Sequence, residues 1–128
     1  MTTKHTPDVQ DEKDRIQRAG GAVVWYGTWR VNGLLSVSRS LGDINLRDVV
    51  TAEPAVHHYT RSETDEFMVI GTDGLWDVVK YQEAVDFVRD SIRSGVCDRK
   101  DVAKLLMEEA LNRKSSDNTT VVIVFFDK

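Results

Sequence analysis

The chain has 128 residues, of which 41% are hydrophobic and 30% charged, and this balance is typical of one globular domain. Its net charge of −4 argues against general nucleic-acid binding, which requires clustered lysine and arginine. Its one cysteine, Cys97, excludes an internal disulfide, and no apolar run approaches the ~18 residues of a membrane span. We therefore expect a protein of the cytoplasm, with the nucleus as a further compartment, and neither nucleic-acid nor membrane partners.

The first half of the chain is predicted to contain a helix and several short strands. The pattern over residues 8–19 predicts a helix that ends at Gly20-Gly21. Asn32-Gly33 lies between two β-like runs and is the strongest short hairpin signal in the chain. The predicted elements are strands at residues 22–26, 28–31, 34–37 and 56–59, and a loop at residues 44–49.

The second half predicts a strand, two helices and a final strand. The continuous apolar run at residues 66–71 suits the buried middle of a sheet. Apolar residues recur once per turn over residues 81–93 and 99–113, and a β-branched run follows at residues 119–126. This order predicts an α+β fold with antiparallel sheets, with the two helices packed side by side on one sheet face.

Two acidic segments follow or precede these apolar strands. Asp73 lies where the strand at residues 66–71 ends at Gly74, and Asp77 follows four residues later. Paired carboxylates at this spacing are suitable ligands for Mg²⁺ or Mn²⁺. On spacing alone, a helix N-cap aspartate followed by an exposed one is the more common meaning of the pattern.

The second acidic segment is Asp117-Asn118, in a polar turn before the last strand. Taken by itself, it is more typical of an Asx-turn that satisfies local backbone groups. Because Asp73 and Asp117 both lie at strand ends, one sheet edge could bring them together. Only together with the family resemblance given below do these positions predict that the two carboxylates share a cation.

Aromatic residues cluster near the predicted hairpin. Trp25, Tyr26 and Trp29 are interrupted by polar residues and glycine, so the pattern fits core aromatics and an exposed binding flap equally well.

Five blocks of sequence, in order, are similar to those of the type 2C, or PPM, protein Ser/Thr phosphatases. They are Arg15-Ile-Gln-Arg-Ala-Gly-Gly, Arg30-Val-Asn-Gly-Leu-Leu-Ser-Val-Ser-Arg-Ser-Leu-Gly-Asp, Ala52-Glu-Pro-Ala-Val, Thr72-Asp-Gly-Leu-Trp-Asp-Val-Val and Ser116-Asp-Asn-Thr-Thr-Val-Val-Ile-Val. The resemblance covers residues 2–126 and implies part of a PPM-type β-sandwich, with residues 1–128 forming the C-terminal portion of one catalytic domain.

The resemblance also implies a site and a reaction. Asp73 resembles the aspartate at the family's site of the metals and their bridging water, with Gly74 assigned to cofactor binding. Asp117 resembles a late metal ligand, and Asp77 resembles an aspartate of a weaker third metal site. The implied cofactors are two Mn²⁺ or Mg²⁺ ions, and the implied reaction is water attack on phosphoserine or phosphothreonine proteins.

The same resemblance implies a substrate flap and a structural segment. Tyr26, Trp29 and Arg30 resemble the edge of the family's flap beside the substrate groove. The block at residues 38–43 matches a signature interpreted as structural.

Several family features are not in this sequence, including an Asp-Gly-His-Gly block and a phosphate-binding arginine upstream. His5 resembles the histidine of a later Asp-His-Lys-Pro block, in which Lys4 replaces the usual aspartate. We therefore expect a partial domain with little activity alone and a tendency to self-associate through uncovered sheet edges. Two functions stay open: part of a phosphatase, or a non-catalytic interaction module.

Overall fold

Helix α1 and a β-hairpin are the first elements of the computed structural model, which describes residues 2–126. The chain divides into two compact units between Thr60 and Arg61. In the first unit, α1 spans Gln10–Arg18, and the antiparallel strands β1 and β2 span Val23–Trp25 and Trp29–Val31. The buried side chains of this unit's core are Ile16, Val31, Val49 and Val50.

The helix prediction for residues 8–19 is confirmed, including its end at the glycine pair. Gly20 has a φ of +84°, and the Gly21 N–H donates to the Ile16 carbonyl at 2.9 Å, which closes the last turn. A residue with a side chain would be strained at Gly20, so the sequence signal has a direct physical cause.

Asn32-Gly33 forms a tight turn, as predicted, but no third strand follows it. Both residues have positive φ, and the Leu34 N–H donates to the Val31 carbonyl at 2.9 Å. Beyond the turn, Leu35 makes an isolated bridge to Val31. The strand predicted at residues 34–37 is therefore wrong, because its apolar residues do not continue a ladder of backbone hydrogen bonds.

Two further predictions for the first unit differ from the structure. The predicted loop at residues 44–49 contains a 3₁₀ helix, Ile44–Leu46. Residues 56–59 form no strand, and Val56 and Tyr59 are both exposed. Their β-branched and aromatic character favours a strand, but a strand also needs a partner, and this segment has none of the ladder pairings found among the described residues.

The second unit packs three helices against a two-stranded sheet. Strand β3 spans Phe67–Gly71 and pairs antiparallel with β4, Val121–Phe125, with Phe67 opposite Phe125 and Gly71 opposite Val121. Between them lie α2, Asp73–Trp76, then α3, Tyr81–Arg93, and α4, Val102–Asn112.

Helices α3 and α4 pack side by side and against one face of this sheet, as predicted. Val88 of α3 and Leu106 of α4 are fully buried in one cluster, and Phe67, Val69 and Ile123 of the strands pack against it. Strand β3 pairs with β4 alone among the described residues, and Ile70 on its other face is 49% exposed. The prediction of a fully buried central strand is therefore wrong for this structure.

Helix α4 begins at Val102, three residues later than predicted, and the turn that follows its end at Asn112 contains an unusual residue. Lys114 takes a φ of +68° just past the helix, where glycine is usual, and the Ser115 N–H donates to the Ala110 carbonyl at 3.0 Å. Among the described residues, no helix has the length and apolar content needed to cross a bilayer.

Candidate functional site

Thr72 joins the two acidic segments at one end of the β3–β4 pair. Its N–H donates to the Thr120 carbonyl at 3.1 Å, and its hydroxyl accepts from the Thr120 N–H at 3.0 Å. The hydroxyl also donates to the Asn118 carbonyl at 3.0 Å. Because Asp73 follows Thr72 and Asp117 precedes Asn118, these three hydrogen bonds hold the two aspartate-bearing segments side by side.

Gly74 brings the same two segments into close contact. A Cβ atom at Gly74 would lie 2.6 Å from the Asn118 carbonyl oxygen and 2.6 Å from Thr119 Oγ1, so only glycine fits. The Gly74 carbonyl accepts from the Ser115 hydroxyl at 2.7 Å. These contacts give Gly74 a packing role, and its assignment to cofactor binding stays a prediction.

Asp73 is the first residue of the short helix α2 and Asp77 is its C-cap residue, and both are exposed. Thr72, not Asp73, is the N-cap residue of α2, and the Asp73 side chain is in the first helical position. The Asp77 N–H donates to the Asp73 carbonyl at 2.8 Å, which places the two residues one turn apart. The simple N-cap interpretation of Asp73 is therefore wrong.

Asp117 is exposed and makes a local contact of the kind expected for a polar turn. Its Oδ1 accepts from the Asn118 N–H at 2.6 Å, and its backbone carbonyl accepts from the Thr119 hydroxyl at 3.2 Å. A carboxylate with four lone-pair sites keeps acceptor capacity beyond this one hydrogen bond. The local turn and a ligand role are therefore compatible.

The donors that this structure brings together are fewer than a complete metal centre requires. Within residues 2–126, no three His, Cys, Asp or Glu side chains are grouped so that they could hold a metal ion. Aspartate oxygens are the ligands that Mg²⁺ and Mn²⁺ prefer, so the chemistry of Asp73 and Asp117 fits such a cation. Two carboxylates, however, are too few to enclose a divalent cation.

The predicted flap residues lie on the β1–β2 hairpin of the first unit, and the aromatic ones are exposed. Trp25 and Tyr26 are 63% and 77% exposed, and the Trp25 and Trp29 rings meet edge to face with centroids 5.4 Å apart. The Arg30 guanidinium donates to the Tyr26 carbonyl within the hairpin at 3.5 Å and to the Leu34 carbonyl beyond β2 at 2.6 Å. The structure therefore has these aromatic rings exposed, and their role as a binding flap stays a prediction.

A buried carboxylate in the first unit escaped the sequence-based predictions. Glu12 is 3% exposed and accepts hydrogen bonds from Arg39 Nη2 at 2.5 Å and Arg15 Nη2 at 3.0 Å, with His5 Nδ1 3.5 Å away. The Arg39 hydrogen bond, assisted by Arg15 and opposed by burial, holds the pKa of Glu12 at about 2. The signal in the sequence is its position one turn before Ile16, on the apolar face of α1.

The arginines that bind Glu12 also connect separate backbone segments of the first unit. Arg15 also donates to the carbonyls of Ser38 and Val49, and Arg39 donates to the carbonyl of Glu53. Arg39 belongs to the block at residues 38–43 that was interpreted as structural, and these contacts agree with that interpretation.

Comparisons with known proteins match nearly the whole chain. The family model described as "Protein phosphatase 2C" matches residues 1–119. "Probable protein phosphatase 2C 45" of Oryza sativa subsp. japonica is 46% identical over 126 residues, which are 98% of this chain and 43% of the rice protein. "Protein phosphatase 1E" of Homo sapiens is 40% identical over 94% of this chain and 16% of its own length.

A solved structure has the same fold. The serine-threonine phosphatase 2C from Toxoplasma gondii superposes with a TM-score of 0.80 at 26% identity, covering 99% of this chain and 46% of that chain. With the family model matching most of its residues, the chain belongs to the protein phosphatase 2C family. It spans less than half the length of each of these relatives.

Proposed function

We propose that this chain supplies carboxylate ligands to the divalent-metal centre of a protein Ser/Thr phosphatase. The proposed ligands are Asp73 and Asp117, with Asp77 contributing to a weaker site. The observation that carries the proposal is the set of three hydrogen bonds between Thr72 and the residues Asn118 and Thr120, which brings both aspartate segments to one end of the β3–β4 pair.

The proposed cofactors are Mn²⁺ or Mg²⁺, and the proposed substrates are phosphoserine and phosphothreonine proteins. When bound, divalent cations would lower the pKa of the attacking water and neutralise the charge of the phosphoryl group. Asp73 and Asp117 are suited to hold such cations because they are hard anionic donors with exposed carboxylates. Thr72 and Gly74 would position these two aspartates. Thr72 holds the two segments together by its hydrogen bonds, and Gly74 allows them to approach closely because it has no side chain.

The β1–β2 hairpin is proposed to contact the substrate. The Tyr26 side chain is 77% exposed, and the Trp29 ring is partly exposed and packs against Trp25. Exposed aromatic rings on a hairpin supply contact area at low entropic cost, which suits recognition of a peptide chain. Arg30 is proposed to act by holding the hairpin in shape, since its guanidinium is bonded to the Leu34 carbonyl.

A non-catalytic interaction module is the second candidate function. It is favoured by the finding that the described residues contain no group of three metal-binding side chains.

Calorimetric titration with Mn²⁺ separates the two candidates. We expect weak binding by the chain, and at least about a tenfold loss of affinity in both Asp73→Asn and Asp117→Asn, because each removes a ligand charge. Asp90→Asn, an exposed change on α3, is the matched control and should bind as the unchanged chain does. Binding that neither site variant weakens would exclude the proposed ligands, and no Mn²⁺ binding at all would favour the non-catalytic module.

Turnover is measured in parallel with Mn²⁺ and a phosphothreonine peptide. We expect little hydrolysis by this chain, because a two-metal centre needs more donors than the described residues bring together. Rapid Mn²⁺-dependent hydrolysis that Asp73→Asn abolishes would contradict this expectation and show that the chain is sufficient for catalysis.

A further inference from the structure

A basic groove lies at the other end of the β3–β4 pair from Asp73 and Asp117. It has a volume of about 460 Å³, and its lining includes Arg89, Arg93 and Arg99 together with Phe67 and Phe125. The strand register shows that the groove and the aspartates lie at opposite ends of the pair. Phe67 pairs with Phe125 at the end with the groove, and Gly71 pairs with Val121 at the end with Asp73 and Asp117. The groove therefore has no part in the proposed metal centre.

The charge of the groove is opposite to that of the chain. Three arginines and Glu66 line it, which leaves an excess of positive charge in a protein whose net charge is −4. Arg89 lies 3.6 Å from the carboxylates of both Glu66 and Asp86, and Arg93 lies 3.6 Å from Glu66, distances that are all longer than a hydrogen bond. Their guanidinium groups therefore keep N–H donors for an incoming carboxylate.

The floor of the groove is apolar, and an arginine lies over one face of each of two of its phenylalanine rings. The Arg99 guanidinium lies 4.9 Å from the Phe125 ring centroid, and that of Arg61 lies 5.1 Å from the Phe126 ring centroid. Stacked arginine blocks these faces to nucleobases, which would need them for stacking. Apolar surface between guanidinium groups instead suits a ligand that alternates apolar and acidic side chains.

We propose that this groove binds a linear peptide segment in which acidic residues flank a leucine or phenylalanine. The acidic side chains pair with Arg89, Arg93 and Arg99, and the apolar side chain lies against the phenylalanine floor. The volume is in the range of ligand pockets, which are roughly 300–1,000 Å³. This site is separate from the proposed catalysis and its test needs no enzymatic activity.

Fluorescence anisotropy tests the proposal with the full chain and the probe fluorescein-Gly-Glu-Glu-Leu-Asp-Phe-Glu-Glu-Gly. We expect saturable binding that the double variant Arg93→Glu/Arg99→Glu weakens by at least about tenfold, since each reversal replaces attraction by repulsion. Binding should also weaken as salt rises. Lys104→Glu makes one charge reversal of the same kind in the same unit, on a residue outside the groove, and should leave affinity within about twofold.

Two altered probes separate the parts of the recognition. A probe with lysine and arginine in place of its acidic residues should not bind, and a probe with serine in place of Leu and Phe should bind much more weakly. Equal binding of either altered probe would overturn the proposal. The proposal would also be overturned if a thymidine oligonucleotide displaced the parent probe as effectively as the unlabelled peptide does, because the groove would then be a nucleic-acid site.

The location is checked on the unchanged chain, so that it does not depend on how the variants fold. In amide NMR spectra, the peptide should shift resonances around Arg89, Arg93 and Phe125. Shifts confined to the first unit or to residues 72–78 would overturn the assignment. The single variant Arg99→Gln, in an exposed loop, provides a milder change with an expected loss of about threefold.

Discussion

Glu12 lies on the buried face of α1, where its carboxylate contacts the guanidinium groups of Arg15 and Arg39. Burial by itself would raise the pKa of this carboxyl group, but the Arg39 hydrogen bond outweighs burial and lowers the pKa from 4.5 to about 2. Because the pKa is lower in the folded chain than in the unfolded chain, ionised Glu12 stabilises the fold.

The stabilisation by Glu12 should disappear in acid. It is complete above the unfolded pKa and is lost as the pH falls from about 4.5 towards about 2, with a total on the order of 3 kcal/mol. We expect Glu12→Gln to lower the free energy of unfolding by about 3 kcal/mol at neutral pH, because it leaves two partly buried guanidinium charges uncompensated. Urea unfolding, followed by tryptophan fluorescence, measures the difference between the two proteins across this pH range.

Glu63→Gln is the control for this experiment, because Glu63 is exposed. Its effect should be within about 0.5 kcal/mol at every pH. A difference between the unchanged chain and Glu12→Gln that stays constant from about pH 5 to about pH 2.5 would show that Glu12 does not have the depressed pKa.

At the scale of elements, the approach of α2 to the segment before β4 depends on Gly74. Alanine normally favours a helix over glycine by about 1 kcal/mol. Here its Cβ would lie 2.6 Å from the Asn118 backbone oxygen, so the segments must separate. We expect Gly74→Ala to destabilise the chain by about 2 kcal/mol and to weaken Mn²⁺ binding.

Gly95→Ala separates these two effects. Gly95 has a φ of +71° and nothing within 4 Å of its added Cβ, so alanine there costs stability through backbone strain alone, by about 1 kcal/mol. Its Mn²⁺ affinity, measured by calorimetry, should be unchanged. If Gly74→Ala bound Mn²⁺ as tightly as Gly95→Ala does, the contact between α2 and Asn118 would not position the ligands.

The elements that could be predicted from sequence are those determined by local chemistry. The helix at residues 81–93 has its apolar stripe in the sequence and has the predicted bounds, and Asn32-Gly33 forms its turn because both residues tolerate positive φ. The strand predicted at residues 56–59 fails because pairing depends on residues far along the chain. Periodicity contains no information about such partners.

The candidate site also contains residues that could be predicted from local sequence and one that could not. Asp73 and Asp117 were identified from strand ends and from the family resemblance, and the structure places their segments side by side. Thr72, whose hydrogen bonds hold these segments together, could not be identified from local pattern, because its partners are 46 and 48 residues away. Whether the carboxylates share a cation stays a prediction.

One face of the β3–β4 sheet is exposed and apolar, and this affects how the molecule associates. Ile70 and Val122 are cross-strand partners on this face and are 49% and 48% exposed, and the neighbouring Val124 is 38% exposed. Apolar faces and unpaired strand edges of this kind favour association between copies. We therefore propose that the chain self-associates through this sheet.

Sedimentation velocity over roughly micromolar to millimolar concentration measures this association. We expect the average mass to rise with concentration for the unchanged chain, and the variant Ile70→Lys/Val122→Glu to stay monomeric. The two new charges are opposite in sign and directly paired, so they preserve the strand pair while covering the face with polar groups. Val96→Lys, in a loop where Val96 is 70% exposed, should associate as the unchanged chain does. A monomer at all concentrations would contradict the proposal.

Paramagnetic broadening by Mn²⁺ in amide NMR spectra tests whether Asp73 and Asp117 converge on one divalent cation. Bound Mn²⁺ broadens the resonances of nearby nuclei, so one shared ion should broaden residues 72–78 and 116–119 together at the same low Mn²⁺ concentration. Asp117→Asn should reduce the broadening in both segments, including the one it does not belong to. Broadening of only one segment, or broadening centred on another carboxylate such as Glu53, would contradict the claim that these two aspartates form one site.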